Sequence, residues 1–196
     1  MIPQFEQAVS YFKAVILDDL GVYCWVAGGA VRDYFSIGRT TSDIDVFFPD
    51  HLAFDIAVLV MKAKAGNPTF DDGRVMNFNF KGHTIQLISS HYFEDPAKTI
   101  EAFDFTVACA AVDHEKVYHH PTFFMDLASK KLVINKLPYP LSTLQRVQKY
   151  VKKGYTICNG GLLELSRAIQ VVNLQDPSQN VFEFYPNGTP KFVRFD

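Results

Sequence analysis

Hydrophobic and polar residues follow a helical repeat at the start of the chain. Apolar side chains recur at three- and four-residue intervals from Phe5 to Leu20, and Gly21 follows as a stop signal, so we predict an amphipathic helix over 5–20. Two short runs of β-type residues come next, at 22–27 and 44–48. Each run ends at a turn signal, which indicates a pair of buried strands.

Asp50 can cap a second helix, which we predict over 51–64. The apolar positions of this segment repeat at helical spacing and define one face. We expect the inward face to contain Leu52, Ile56, Leu59, Val60 and Ala63. The helix would then cover the sheet with that face.

A hairpin, a short helix and a further strand complete the predicted sheet. Strand-like runs at 74–80 and 83–88 flank a tight turn at Lys81-Gly82. Asp95-Pro96 is typical of a helix start, and this helix should end near Phe103, before an apolar strand over 105–112. The order of elements predicts an α+β fold in which a small mixed sheet is packed with helices.

The carboxyl-terminal part of the chain has a different charge pattern. Residues 127–163 contain no Asp or Glu, and their seven basic residues are Lys130, Lys131, Lys136, Arg146, Lys149, Lys152 and Lys153. Ser142 and Gln145 have capping-box spacing, which predicts a basic helix that ends at Gly154. Its spacing places Arg146 and Lys149 on adjoining turns.

A second helix over 162–174 and a closing hairpin over 182–195 follow the basic helix. We therefore divide the chain into two parts. Residues 1–126 form the domain that holds the sheet, and residues 127–196 form a basic helical segment with a carboxyl-terminal hairpin that packs on it.

Composition limits the possible classes of protein. The chain has 196 residues, of which 48% are hydrophobic, so it can bury one core and is not disordered. Its net charge of −2 excludes a generally basic nucleic-acid coat. Cys24, Cys109 and Cys158 form no CxxC pair, and we interpret them as buried thiols. No apolar run reaches the roughly 18 residues of a membrane helix, so we expect a cytoplasmic protein without a membrane partner.

Two carboxylates separated by one residue provide the clearest candidate chemistry. Asp43 and Asp45 flank Ile44 in a predicted strand, where alternate side chains point to the same face of the sheet. Their Cα atoms would lie about 6 to 7 Å apart. Two carboxylates at this distance can hold Mg²⁺, which completes its octahedron with water and phosphate oxygens. We therefore interpret Asp43 and Asp45 as candidate metal ligands.

A glycine turn before a short helix provides a candidate phosphate site. Gly28-Gly29 ends the first strand, and glycine allows both a sharp turn and close approach of a phosphate chain. The amino terminus of the following helix stabilises anions, and Arg32 adds a planar set of donors.

The segments Gly28-Gly-Ala-Val-Arg-Asp33 and Asp43-Ile-Asp-Val46 together resemble the signature of the head domain shared by poly(A) polymerases and class II tRNA CCA-adding enzymes. These families belong to the DNA polymerase beta-like nucleotidyltransferase superfamily. Asp104-Phe-Thr106 and the segment 140–157 resemble its later DFT element and its first neck helix. The resemblance implies a nucleotidyltransferase-like palm followed by a short helical neck.

The resemblance also implies a mechanism. Asp43 and Asp45 would be the catalytic metal ligands, for Mg²⁺ or alternatively Mn²⁺, with a nucleoside triphosphate as substrate. Gly28, Gly29 and Arg32 would cradle its phosphates. Asp33, which we expect to organise the turn, and Asp104 complete the implied nucleotide-binding residues.

The sequence departs from the family pattern at several positions. The position that matches the superfamily's third carboxylate is Gln86, which adds no negative charge. Arginines that the family carries before its DFT element are absent, and Ser142, Gln145 and Gln148 stand where the neck helix carries others. These departures leave the choice of base open and favour a catalytically weakened protein of the same fold as an alternative.

The resulting function hypothesis is the metal-dependent transfer of a nucleoside monophosphate from a nucleoside triphosphate to a hydroxyl acceptor, foremost an RNA 3′ end. RNA would be contacted by the basic helix through Arg146, Lys149, Lys152 and Lys153. Two alternatives stay open. One is a catalytically weakened nucleotide-binding or interaction protein of the same fold, and the other is a nucleotidyltransferase that modifies a protein or a small molecule.

Overall fold

A seven-stranded mixed sheet forms the centre of the computed structural model, which describes residues 4–172. Its strands run in the spatial order β3-β4-β5-β2-β1-β6-β7. Their bounds are Trp25–Ala27 (β1), Ile44–Phe47 (β2), Phe70–Asp71 (β3), Val75–Phe80 (β4), His83–Ile88 (β5), Ala110–Val112 (β6) and Val117–His119 (β7). Lys131–Leu132 (β8) and Thr156–Ile157 (β9) pair separately in parallel. This architecture confirms the predicted α+β class.

Helices cover the sheet and extend beyond it. Their bounds are Phe5–Phe12 (α1), Asp18–Leu20 (α2), Gly29–Ile37 (α3), His51–Ala65 (α4), Pro96–Glu101 (α5), Phe123–Ser129 (α6), Pro140–Lys152 (α7) and Asn159–Gln170 (α8). One π-helical segment, Lys13–Leu17, joins α1 to α2. Helical backbone therefore runs without a break over the predicted range 5–20, with a wider π-helical turn at its centre.

Backbone carbonyls of the π-helical segment bind side chains from two separate turns of the sheet. Lys81 Nζ, in the β4–β5 turn, donates to the carbonyl of Ala14 at 2.8 Å. His114, in the β6–β7 turn, places Nε2 at 3.1 Å from the carbonyl of Leu17. The amino-terminal helix thus holds both turns.

The two faces of the central strands pack against different clusters of side chains. Val26, Ile44 and Val46 are fully buried in the main core, beneath the amino-terminal helices and α4. The alternate residues of the same strands point to the other face, where Trp25 and Phe47 form a smaller cluster with Ile100 of α5. This smaller cluster covers only part of its sheet face, and the polar residues Asp45 of β2 and Gln86 of β5 stay partly exposed.

Helix α4 turns a different face inward than its apolar spacing predicts. Its buried residues are Phe54, Ala57, Val58 and Met61. Leu52 and Leu59 are 69% and 68% exposed, and Ile56 is 38% exposed, so the expected inward face was wrong. Both faces carry apolar residues, and spacing alone does not distinguish them. The large side chains of Phe54 and Met61 fill the space against the core.

Three further expectations need correction. The segment 105–112 is a strand only from Ala110, because Phe105 forms an isolated bridge with Ile134 and a 3₁₀ turn follows it. The basic helix begins at Pro140 with Tyr139 as its N-cap, so Ser142 lies in the first turn and caps nothing. Cys158 is an exposed thiol and not a buried one; its Sγ accepts from the Gly161 amide at the start of α8.

The predicted division of the chain remains a prediction, and residues 126 and 127, between which it falls, both lie within α6. The carboxyl-terminal hairpin predicted over 182–195 lies outside the described residues. Within residues 4–172, no helix combines the length and the apolar character that a membrane crossing requires.

The orientation of α4 gives a matched test of the packing. Met61→Ala should lower the free energy of unfolding by about 3 kcal/mol, because it opens a cavity in the main core. Leu59→Ala should change it by less than about 0.5 kcal/mol, because most of that side chain already contacts water. Urea unfolding of the two variants measures both values, and an equal loss would contradict the observed orientation.

Candidate functional site

The two predicted metal ligands lie on the open part of the second sheet face. Asp45 is in β2, and Asp43 immediately precedes that strand and is exposed. The parallel pairing of β2 with β5 sets Asp45 in register with Gln86. The Gln86 amide donates to Asp43 Oδ2 at 3.4 Å. The structure thus brings two carboxylates and one side-chain amide together, with Gln86 beside the carboxylates where sequence reasoning expected it.

The glycine turn lies directly beside Asp45. Gly28 has a φ of +79°, a left-handed conformation that disfavours residues with a Cβ atom. A Cβ atom built on Gly28 would lie 3.6 Å from the Phe103 ring and 4.0 Å from Asp45 Oδ2. Gly28 is also the N-cap of α3, and among the described residues no side chain caps that end. The helix terminus is therefore open toward the carboxylates.

The Asp45 carboxyl has an unusual protonation equilibrium. Its withdrawal from water, together with the nearby charge of Asp43, raises its pKa to about 7. The positive charge of Arg146 acts in the opposite direction. The side chain still retains a partly exposed surface. Two carboxylates held this closely favour a bound cation or a bound proton.

Asp104 connects the sheet domain to α7. Its buried carboxylate accepts hydrogen bonds from the Thr143 hydroxyl at 3.1 Å and from Arg146 Nη1 at 2.8 Å. Its backbone carbonyl accepts from the backbone N–H of Asn135 at 2.7 Å. Asp104 therefore does not point freely into the site. It holds Arg146 where the guanidinium acts on Asp45, and Arg146 is half-exposed at that position.

Arg32 and Asp33 form a buried pair under the glycine turn. Arg32 donates from Nε to Asp33 at 2.9 Å and from Nη1 to the Tyr150 hydroxyl at 2.8 Å. The hydroxyls of Thr41 and Ser42 each donate to Asp33 at 2.7 Å. The Arg32 charge and these hydrogen bonds keep the pKa of Asp33 below its ordinary value despite burial. The pair therefore fixes the loop that leads into Asp43.

The remaining predicted site residues are spread along α7 and its end. Lys149 and Lys152 are exposed on α7, and Lys153 is its C-cap. Tyr150 and Tyr155, which lie near them in sequence, are buried at 7% and 6% exposure, so they offer no surface for stacking on bases. Asp104 holds Arg146 at the carboxylate site.

Sequence reasoning missed two residues of the site. Phe103 lies against Gly28, and the Tyr150 hydroxyl accepts from Arg32 while its ring lies 5.1 Å from the guanidinium carbon. A buried tyrosine in a basic helix carries no distinct pattern in one sequence. The only available signal was the helical spacing that places Tyr150 with the buried Val147.

Solved structures with a similar fold include tRNA nucleotidyltransferases. The Thermotoga maritima CCA-adding enzyme complexed with tRNA matches 84% of this chain and 41% of its own, with a TM-score of 0.55 and 18% identity. A tRNA-processing enzyme in an apo form matches 87% and 48%, with a TM-score of 0.58 and 14% identity. A tRNA nucleotidyltransferase with a primer tRNA and an ATP analogue matches 83% and 50%, with a TM-score of 0.57 and 14% identity. The chain has the nucleotidyltransferase fold, and it spans half or less of the length of these proteins.

Sequence comparison gives a more specific relationship. Gabija anti-defense 2 from Bacillus phage SPbetaL7 is 27% identical over 162 residues, which are 81% of this chain and 39% of the relative. A family model described as Gabija anti-defense 2 family protein matches residues 3–130, which is more than half of the chain. The chain belongs to the Gabija anti-defense 2 family.

Proposed function

We propose that the chain is a metal-dependent nucleotidyltransferase that moves a nucleoside monophosphate from a nucleoside triphosphate to a hydroxyl group, with an RNA 3′ end as the acceptor. The observation that carries the proposal is the position of Asp45, two residues from Asp43, beside Gly28 at the amino terminus of α3. Carboxylates and a helix terminus placed together suit a metal and the phosphate groups that it bridges. The tRNA and the ATP analogue present in similarly folded structures support RNA and nucleotide as substrates.

The donor set fits a divalent cation. The described residues contain no cluster of three or more His, Cys, Asp or Glu side chains placed to hold a metal. The two carboxylates and the oxygen of the Gln86 amide nevertheless supply the hard ligands that Mg²⁺ prefers. Burial and the charge of Asp43 raise the pKa of Asp45, and a bound cation would stabilise its charged form. Asp43, Asp45 and Gln86 would therefore hold Mg²⁺ or Mn²⁺.

The residues of this chain then have distinct tasks. A bound divalent cation supplies neutralisation of phosphate charge and activation of the attacking hydroxyl. Gly28 leaves space for the phosphates, and the first amides of α3 stabilise their charge. Arg146, held by Asp104, adds a fixed positive charge next to Asp45. The Arg32–Asp33 pair positions the loop before Asp43 and does not itself contact substrate.

One observation favours a second candidate function. Gln86 lacks the negative charge of a third carboxylate, so the site binds a cation less strongly than three carboxylates would. The chain would then bind a nucleotide and act through contact with a partner, without turnover. A family description that refers to anti-defense is compatible with either function.

The first prediction from the proposed function concerns the carboxylates. Asp43→Asn/Asp45→Asn should lower incorporation more than about a hundredfold, because the metal loses both charged ligands. The assay supplies each labelled nucleoside triphosphate with Mg²⁺ or Mn²⁺ and a mixed tRNA pool. The control is Asp55→Asn, an exposed carboxylate on α4.

The location of the label separates the candidate functions. Label in RNA that the double variant loses identifies a nucleotidyltransferase acting on RNA and names its base. Label in protein refutes RNA as the acceptor. If the wild type binds a triphosphate with metal and labels nothing, the proposed transfer is wrong and the binding function replaces it.

The second prediction concerns Gln86. Gln86→Glu should lower the Mg²⁺ concentration for half-maximal nucleotide binding by about threefold or more, because charge count sets the affinity of oxygen-ligand sites. Gln86→Leu is the matched variant that removes the amide oxygen, and it should raise that concentration. A titration followed by calorimetry measures both. Identical Mg²⁺ dependence in all three proteins would mean that Gln86 is not a ligand.

The third prediction concerns pH. Because the pKa of Asp45 is raised from its ordinary value of 3.8 to about 7, the folded protein holds a proton that the unfolded chain releases. The free energy of unfolding of the metal-free protein should therefore fall as the pH rises from about 4 to about 7. Asp45→Asn should remove this part of the pH dependence, and Mg²⁺ should reduce it in the wild type.

Urea unfolding at a series of pH values, in EDTA and then in excess Mg²⁺, measures the effect. Asp55→Asn should keep the wild-type slope. If Asp45→Asn and the wild type lose stability equally over this range, the Asp45 carboxyl does not carry the raised pKa.

A further inference from the structure

A second cleft opens next to the buried Arg32–Asp33 pair. Its volume is about 310 Å³, and it lies between α3, the loop before Asp43, and the turns that follow α6 and α7. We call it the basic cleft and define it by Arg32, Asp33, Ser36, Thr41, Lys130 and Lys153. It includes none of the metal ligands proposed above, so an occupant would bind at a separate site.

Positive charge exceeds negative charge in the basic cleft. Arg32, Lys130 and Lys153 contribute three positive charges, against the single carboxylate of Asp33. That carboxylate is already engaged by Arg32 and by the hydroxyls of Thr41 and Ser42. Within residues 4–172, neither Lys130 nor Lys153 forms an ion pair with a carboxylate. The cleft therefore carries an uncompensated charge of about +2 in a partly enclosed space.

The backbone brings the two lysines together. Lys130 ends α6 in the left-handed conformation, with a φ of +51°, which is uncommon for a residue other than glycine. Its Nζ atom lies 3.5 Å from the backbone carbonyl of Lys153. Burial and the charge of Arg32 lower the pKa of Lys153, and the Asp33 carboxylate offsets this only in part. The contact with that carbonyl fixes the Lys130 ammonium beside the backbone of Lys153, and both residues line the same cleft.

We propose that the basic cleft binds a phosphate group, contacted by Lys130 and Lys153, with the Ser36 hydroxyl as a further donor. A phosphate accepts several charge-assisted hydrogen bonds at once, which matches the excess charge and the donors present. The volume is large enough for a phosphate with part of its attached sugar. The phosphate can come from a free nucleotide or pyrophosphate, or from the backbone of a polynucleotide, and the chemistry of recognition is shared.

This inference goes beyond the proposed function, because it assigns a second anion site with no metal. Arg32 lies between the two sites: one of its Nη atoms would be 3.6 Å from a Cβ atom on Gly29, and the same residue lines the basic cleft. An anion in the cleft would therefore be close to the pair that positions the loop before Asp43.

Calorimetric titration in EDTA tests the proposal, because removal of metal silences the carboxylate site. The probes are pyrophosphate and an RNA hexanucleotide without a terminal phosphate. Lys130→Gln/Lys153→Gln should weaken binding of the effective probe by at least about tenfold, as expected for two lost charge-assisted contacts. Lys131→Gln is the matched control, since it removes an exposed lysine next to the cleft. Lys153→Gln alone should give a several-fold loss if the double variant folds poorly by circular dichroism.

The outcomes distinguish the two sources of phosphate from each other and from results that overturn the proposal. Lysine-dependent binding of pyrophosphate alone supports the site and assigns it to free phosphates. Lysine-dependent binding of the hexanucleotide supports it and assigns it to a polynucleotide backbone. No binding of either probe to the wild type overturns the proposal. An equal loss in Lys131→Gln also overturns it, because the effect would then come from general surface charge.

Discussion

The buried ion pair of Arg32 and Asp33 holds the candidate site together. The guanidinium group reaches Asp33 on its own helix and Tyr150 on α7, while the Asp33 carboxylate holds the two hydroxyls that precede Asp43. Both groups are almost inaccessible to water, and a lone buried charge would cost several kcal/mol. Each partner therefore requires the other, and the hydrogen bonds of the pair link the glycine turn, the loop before Asp43 and α7.

The sheet adds a second constraint, which concerns the face to which each side chain of β2 points. Alternation along β2 sends Ile44 and Val46 into the main core and leaves Asp45 on the opposite face. The parallel neighbour β5 carries Gln86 to the same level. A shift of one residue in this pairing would bury a carboxylate among apolar side chains, so the hydrophobic core and the polar site enforce the same register.

The sequence predicts the site better than it predicts the surroundings. The register of Asp45 with Gln86 and the turn at Gly28 follow from strand alternation and glycine's backbone freedom, which are local rules. The contacts of Arg32 and Asp104 with α7 do not follow from local rules, since their partners lie more than 35 residues away along the chain. A charged residue next to a phosphate-binding turn looks the same in sequence whether it faces a ligand or a buried tyrosine. The inward face of α4 failed for a related reason, because two apolar faces compete and only packing selects one.

The π-helical segment connects the two ends of the sheet. Its widened turn presents carbonyls to the β4–β5 turn through Lys81 and to the β6–β7 turn through His114. These two turns belong to strands on opposite sides of the central pair β1 and β2. An opening of either edge must break a contact with the same amino-terminal helix, so the two edges belong to one cooperative unit of unfolding. Strand β2, which carries Asp45, lies between the strands of these two turns, so the carboxylate site belongs to the same unit.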